Sequence, residues 1–134
     1  MQANNVRKVT VLSAMLLASA MIVHAAILDG MKFKVRVVPE KDAADKGAKV
    51  FDDELVFADG KFTSTALLEK GFKPAKYHAE TEPNEAEFEA ELVSATNSRA
   101  AWSGEIRGTN TMGGLQWQQK DGTYFGYEFS GTKE

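Results

Sequence analysis

The dominant pattern along the chain is an alternation of apolar and polar residues with a period of two. From Met31 to Val37, apolar residues alternate with lysine and arginine, and from Ala86 to Leu92 they alternate with glutamate. This period is typical of β-strands that bury one face and expose the other to solvent. Extended along the chain, the pattern predicts eight strands, at residues 31–38, 50–58, 61–64, 76–82, 86–95, 99–107, 111–119 and 123–131.

Short turns between these segments predict antiparallel hairpins. Asp59-Gly60 is a two-residue hairpin signal, and the segment 82–85 is a turn of even length. The segment 120–122 is predicted to be a three-residue loop with Gly122 in the left-handed conformation, because a two-residue turn would separate the apolar faces of its strands. The predicted cross-strand pairs are Phe57 with Phe62, Tyr77 with Ala90, Ala79 with Phe88, His78 with Glu89, Trp117 with Phe125, and Leu115 with Tyr127.

A glycine-rich segment, residues 104–114, joins the two strands that carry tryptophan. An even loop around Thr109-Asn110 predicts three pairs: Ile106 with Gly113, Gly104 with Leu115, and Trp102 with Trp117. A glycine inside a strand weakens it unless something needs the space. We therefore expect Gly104 to face inward, where a neighbouring ring can lie on its backbone.

Eight short antiparallel strands with one apolar face predict an all-β protein. An eight-stranded up-and-down meander barrel buries that face and removes the sheet edges, and a two-sheet β-sandwich is the alternative. One short helix is expected near residues 65–71, capped by Ser64 or Thr65 and ended by Gly71. The charged segment 39–49 is expected to be a loop.

The N-terminal 25 residues have the features of a secretory signal peptide. Arg7 and Lys8 precede fifteen uncharged residues, and Val23-His24-Ala25 offers a cleavage site after Ala25. The alternative is an uncleaved membrane anchor, but this apolar run is shorter than the roughly 20 residues that a spanning helix needs. The sequence therefore predicts one domain, residues 26–134, exported to the periplasm or secreted, with no stable membrane anchor after cleavage.

Charge and composition exclude several classes of function. The whole chain has a net charge of −3, and loss of the signal peptide with its two basic residues leaves −5. This charge argues against a nucleic-acid partner, because proteins that bind a phosphate backbone present basic patches. The absence of cysteine excludes disulfides, thiol catalysis and cysteine-zinc sites.

No catalytic constellation is visible, so the sequence predicts neither an enzyme nor a cofactor. His78 would be the one histidine left after cleavage, and it is predicted to lie on the polar face without a nucleophile beside it. Six glutamates between residues 80 and 91 raise the question of a calcium site. Strand residues two apart point in parallel rather than converging, so we expect no metal site but a solvated acidic face. A loose cation site or a basic protein partner for that face is the alternative.

Ten aromatic residues are predicted to point into the barrel, and they nearly fill it, because a barrel of this size holds side chains or one small ligand. Most are therefore expected to be core. Tyr77, Trp102, Trp117 and Tyr127 also carry polar groups that need partners when buried, which makes them candidate ligand-binding residues. The ten are Phe33, Phe57, Phe62, Tyr77, Phe88, Trp102, Trp117, Phe125, Tyr127 and Phe129.

The segment 102–108, WSGEIRG, followed by a strand ending in Leu115-Gln116-Trp117, resembles the calycin group of lipocalin-like and avidin-like barrels. The segment 60–72 followed by Tyr77 is similar to small secreted bacterial barrels. The lipocalin G-x-W signature is absent, since residues 29–32 read DGMK there. The resemblance implies a barrel with an open end that holds a small apolar or aromatic molecule. The alternative function is a surface-acting interaction or inhibitory protein without a ligand cavity.

Overall fold

The computed structural model describes residues 26–134, so the predicted signal peptide lies outside the described residues. The described chain forms a closed barrel of eight antiparallel strands in up-and-down order, in which the last strand pairs with the first. The predicted barrel is therefore confirmed over the sandwich. The strands are β1 (Lys32–Pro39), β2 (Phe51–Ala58), β3 (Lys61–Ser64), β4 (Ala75–Glu82), β5 (Glu85–Val93), β6 (Arg99–Arg107), β7 (Asn110–Gln118) and β8 (Tyr124–Lys133).

The two ends of the barrel differ in their connections. One end, which we call the turn end, carries the tight turns at residues 59–60, 83–84 and 108–109. The opposite end, the loop end, carries the longer connections 40–50, 65–74, 94–98 and 119–123. A ligand would therefore have to enter the barrel interior at one of these two ends.

Most of the predicted registers are confirmed, because the turn residues and the apolar pattern demand the same pairing. Gly122 lies at φ 90°, the left-handed conformation that the three-residue loop requires. The observed pairs include Phe57 with Phe62, Tyr77 with Ala90, Ala79 with Phe88, His78 with Glu89, Trp117 with Phe125, and Leu115 with Tyr127.

The predicted register between β6 and β7 is wrong by two residues. The turn is Gly108-Thr109 rather than Thr109-Asn110, and Gly108 lies at φ 61°. Because side chains alternate with a period of two, this shift leaves each of them on its predicted face and changes only its cross-strand neighbour. The observed pairs are Ile106 with Thr111, Gly104 with Gly113, Trp102 with Leu115, and Ala100 with Trp117.

Two short helices lie at the loop end, where one was predicted. Helix α2 (Thr65–Leu68) begins as expected after Ser64, whose hydroxyl accepts a hydrogen bond from the Leu67 backbone N–H. Helix α1 (Lys41–Asp45) occupies the segment predicted to be a loop, because burial of Ala43 outweighs the polar character of its neighbours. Neither helix in the described part of the chain is long and apolar enough to cross a membrane.

Aromatic rings fill the barrel interior, as the pattern predicted. Phe57 is fully buried, and its ring centroid lies 4.9 Å from that of Tyr77 and 5.1 Å from that of Phe88, both in edge-on geometry. All ten predicted inward rings belong to the hydrophobic core or pack against it. Only Trp117 and Phe125 among these ten are half-buried, and both lie at the loop end.

Candidate functional site

The turn end of the barrel is plugged by the chain itself. Leu28 is 1% exposed. The Gly30 N–H donates to the carbonyl of Phe57 at 2.8 Å, and the carboxylate of Asp29 accepts from the Gly60 N–H at 2.9 Å. These bonds fix the segment 26–31 across the end of β2 and close this entrance.

Tyr77, a predicted ligand-binding residue, lies under this plug. Its hydroxyl donates to the Asp29 carboxylate and accepts from the Leu28 backbone N–H, both at 2.9 Å. Burial and the hydrogen bond to Asp29 raise the pKa of Tyr77 to about 12. The hydroxyl therefore holds the plug in place, and both of its partners come from the chain.

Trp102, the second predicted residue, lies in the middle of β6 and is 1% exposed. Its ring centroid lies 5.6 Å from that of Phe62 and 5.4 Å from that of Phe129. Its indole Nε1 has no hydrogen-bond partner among the described residues. Packing of rings around the indole makes Trp102 part of the filled core.

Trp117 and Tyr127, the other two predicted residues, come together at the loop end. With Phe51 they form a triangle in which the three ring centroids lie 5.8–6.1 Å apart. Phe72 packs edge-on against Trp117 at 6.2 Å, and Phe125 lies opposite Trp117 in the sheet. We call these five residues the loop-end cluster. Phe51, Trp117 and Phe125 are half-buried, so the cluster reaches the surface.

Tyr127 brings a polar group into this apolar cluster. The residue is 4% exposed, and its hydroxyl makes no hydrogen bond with residues 26–134. Burial is the one cause that raises its pKa. Trp102 Nε1 is the one fully buried side-chain polar atom without a partner among residues 26–134, so the Tyr127 hydroxyl oxygen is reached by solvent. The loop-end cluster therefore combines half-exposed rings with a hydroxyl whose hydrogen-bonding capacity is unused within the described chain.

A buried carboxylate fixes the wall beside this cluster. Asp53, on the inward face of β2, accepts hydrogen bonds from the Ser64 hydroxyl and the Ala66 backbone N–H, which anchors the start of α2. The chain then returns through a hydrogen bond from the Phe72 N–H to the Leu67 carbonyl at 3.0 Å. Asp53 thus sets the position from which Phe72 reaches Trp117.

The acidic segment and His78 lie on the outer surface of β4 and β5. The His78 ring nitrogen lies 3.4 Å from the Glu80 carboxylate, and both side chains are largely exposed. Among residues 26–134, no group of three or more histidine or acidic side chains is placed to hold a metal ion. This surface is therefore distinct from the loop-end cluster.

The sequence predicts Trp117 and Tyr127 as site residues and pairs Trp117 with Phe125, but it misses two of their partners, Phe51 and Phe72. Phe51 shares the period-two face of Phe57, but Asp53 lies between them on that face and disguises the pattern. Phe72 follows the short helix and belongs to no strand. Continuing the inward face of Phe57 back along the strand, past Asp53, would have found Phe51.

The eight-stranded up-and-down barrel is compatible with the calycin fold suggested by the sequence. Comparisons of this chain with protein-family models, with curated proteins and with solved structures return no match. The function of the chain must therefore be inferred from the geometry of the barrel.

Proposed function

We propose that this protein is an exported, calycin-like binding protein that holds a small apolar or aromatic molecule at the loop end of its barrel. The observation that carries the proposal is the loop-end cluster, in which Trp117 and Phe51 are half-exposed beside the unpartnered hydroxyl of Tyr127. Ligand sites typically combine apolar and aromatic walls with a few placed polar groups. The ligand's ring or alkyl part would lie against Trp117, and a polar atom would bond to Tyr127.

The proposed location of the ligand follows from how the rest of the barrel is filled. Leu28 and the Tyr77 hydroxyl close the turn end, and Trp102 lies among packed rings in the middle. A small barrel that is filled in this way has room for a ligand only at its remaining mouth. Tyr77 and Trp102 therefore support the site from below, whereas Trp117 and Tyr127 would touch the ligand.

Export and the absence of catalysis are parts of the same proposal. The signal-like residues 1–25 support export, and a domain without cysteine has no thiol or disulfide that the redox state of the receiving compartment could change. The proposed role is to bind and carry, with no catalytic residue, metal or cofactor assigned.

The two tryptophans allow a direct test by fluorescence. In the Trp102→Phe variant, Trp117 is the remaining emitter, so titration with the apolar probe N-phenyl-1-naphthylamine should change its emission saturably. The matched control is Trp117→Phe, in which emission from the buried Trp102 should hardly respond. Tyr127→Phe should weaken binding of 1-naphthol by about 2–10-fold, the usual worth of one hydrogen bond, and leave naphthalene binding unchanged.

The proposal fails if no apolar probe gives a saturable signal with the wild-type chain. It also fails if Trp102 and Trp117 respond equally, because the probe would then bind without preference for the loop end. Thermal unfolding of each variant, measured without probe, separates loss of binding from loss of fold.

A further inference from the structure

The outer surface of the barrel contains an open cleft of about 1630 Å³ that shares only Tyr127 with the loop-end cluster. It runs across the outward faces of β4 to β8 and the adjoining part of β1. Its floor is low because Ser103 and Gly114 lie opposite each other there and project little or no side chain. Long side chains stand around this floor, since Glu89 and Glu128 flank it on the neighbouring strands. We call it the outer cleft.

Like charges lie directly opposite one another along one wall of the outer cleft. Glu80 pairs with Glu87, and Glu87 pairs with Glu105, so three carboxylates follow one line across β4, β5 and β6. Like charges in such positions destabilise a sheet. Arg107 lies 2.8 Å from Glu105, but Glu87 has no ion-pair partner among residues 26–134. The wall therefore keeps uncompensated negative charge.

One exposed apolar side chain, that of Met112, continues the same line, which then passes through Ser130 to Arg36. Met112 lies opposite Glu105 on β7 and is 57% exposed. Val38, on the outward face of β1, is 44% exposed at the far side of the cleft. Methionine is flexible and polarizable, and it is frequent on surfaces that adapt to a partner. The outer cleft thus offers an acidic wall, a low floor and an apolar contact in one continuous surface.

We propose that the outer cleft is a docking surface for a positively charged, extended segment of another protein. Lysine or arginine side chains of that segment would face Glu80, Glu87 and Glu105, and an apolar residue would cover Met112. This inference does not depend on a ligand at the loop end.

Charge selects this occupant over the others. A second copy of the chain would bring the same acidic surface against itself, and a nucleic acid would be repelled by it. The glutamates project in parallel from neighbouring strands, whereas a divalent cation needs oxygens that converge on a point. An extended segment, by contrast, places every second side chain on one face, about 6.6–6.8 Å apart. Long, flexible lysine side chains can span the difference from a row of carboxylates about 5 Å apart.

The test uses two short fluorescent peptides. In the first, three lysines alternate with serine and a serine also takes the next position on the lysine face, and in the second that last serine is replaced by leucine, so that it faces Met112. Both peptides should bind the domain of residues 26–134 in low salt and dissociate at about 0.5 M salt, where the Debye length is below ~5 Å. Binding is followed by fluorescence anisotropy, and amide chemical shifts should change along β4 to β7.

Two double variants that remove the same amount of charge distinguish binding in the outer cleft from general attraction to the net charge of the protein. Glu87→Gln with Glu105→Gln, in the outer cleft, should weaken peptide binding tenfold or more. Asp42→Asn with Glu69→Gln, at the loop end, should change it less than twofold. Met112→Ser should weaken binding of the leucine peptide and leave the serine peptide unaffected.

Four results would overturn the inference. Equal weakening by the two double variants would mean diffuse attraction to net charge, and no binding in low salt would mean that the cleft accepts no basic segment. A salt-sensitive dimer in sedimentation velocity, abolished by the Glu87→Gln and Glu105→Gln pair, would assign the cleft to a second copy. Calcium that displaces the peptide stoichiometrically would assign it to a cation.

Discussion

Gly104 has no side chain, and two aromatic rings of the core occupy the space beside its backbone. A Cβ added to Gly104 would lie 2.7 Å from Cζ of Phe129, 2.9 Å from Cζ of Phe88 and 2.8 Å from the Met112 carbonyl oxygen. Ordinary carbon contacts are about 3.5–4.0 Å. The two rings therefore occupy the volume that any other residue would need, and the expectation that Gly104 faces inward for lack of room is confirmed.

Gly104→Val should destabilise the protein by about 1–3 kcal/mol through overpacking, although valine has the higher β-propensity. Ser103→Val, at the neighbouring outward position, should be nearly neutral, since its side chain meets solvent. Urea unfolding of both variants measures the difference. Equal effects, or a stabilised Gly104→Val, would show that the assigned inside and outside of β6 are inverted.

At the scale of strands and turns, the sequence could predict most of the fold because two independent signals agree there. Asp59-Gly60 and Gly122 specify the lengths of their turns, and the apolar alternation specifies the same faces. Between β6 and β7, the apolar alternation and the turn residues do not together specify one register. Pairings that differ by two residues bury the same faces, so only the turn could decide, and a run of glycine, threonine and asparagine supports more than one turn.

The site was less predictable for a related reason. Trp117 and Tyr127 lie on a strand pattern and could be assigned to the interior, but their partners are brought to them by packing. Phe72 reaches Trp117 because Asp53 anchors α2, and that hydrogen bond joins residues that are far apart in the sequence. Periodicity carries no information about such contacts.

The observed turn between β6 and β7 makes its own prediction. Gly108 lies at φ 61°, a conformation that costs other L-residues about 1–2 kcal/mol. Gly108→Ala should therefore lower the free energy of unfolding by about that amount, whereas Thr109→Ala should have little effect. The two measurements, again by urea unfolding, also distinguish the registers. A neutral Gly108→Ala would contradict a turn centred on Gly108-Thr109 and favour the pairing expected from the sequence.

At the scale of the whole molecule, stability and exposure are divided between the two ends of the barrel. The plug at the turn end buries Leu28 and uses both hydrogen-bonding functions of Tyr77. The loop end leaves Phe51, Trp117 and Phe125 half-buried. In a domain without disulfides the apolar core must supply the stability, so rings left exposed at one end require the remainder of the barrel to be well packed.

The stability of the barrel should also depend on pH, because Asp53 is a buried carboxyl. Burial raises the pKa of Asp53 above its ordinary value of 3.8. A carboxyl with a higher pKa in the folded state stabilises the fold fully below pH 3.8, and this contribution is lost as the pH rises through the raised pKa. Asp53→Asn cannot titrate and keeps an oxygen for the backbone N–H groups of Glu54 and Ala66.

The free energy of unfolding of the wild type should therefore fall, relative to that of Asp53→Asn, as the pH rises through this window. Urea unfolding at a series of pH values measures the difference, and Asp42→Asn, an exposed change of the same kind, corrects for the loss of one negative charge. A difference that is independent of pH would mean that Asp53 keeps its ordinary pKa. A wild type that gains on the variant with rising pH would mean that hydrogen bonds from Ser64 and Ala66 outweigh burial, so that the anchor of α2 favours the charged carboxylate.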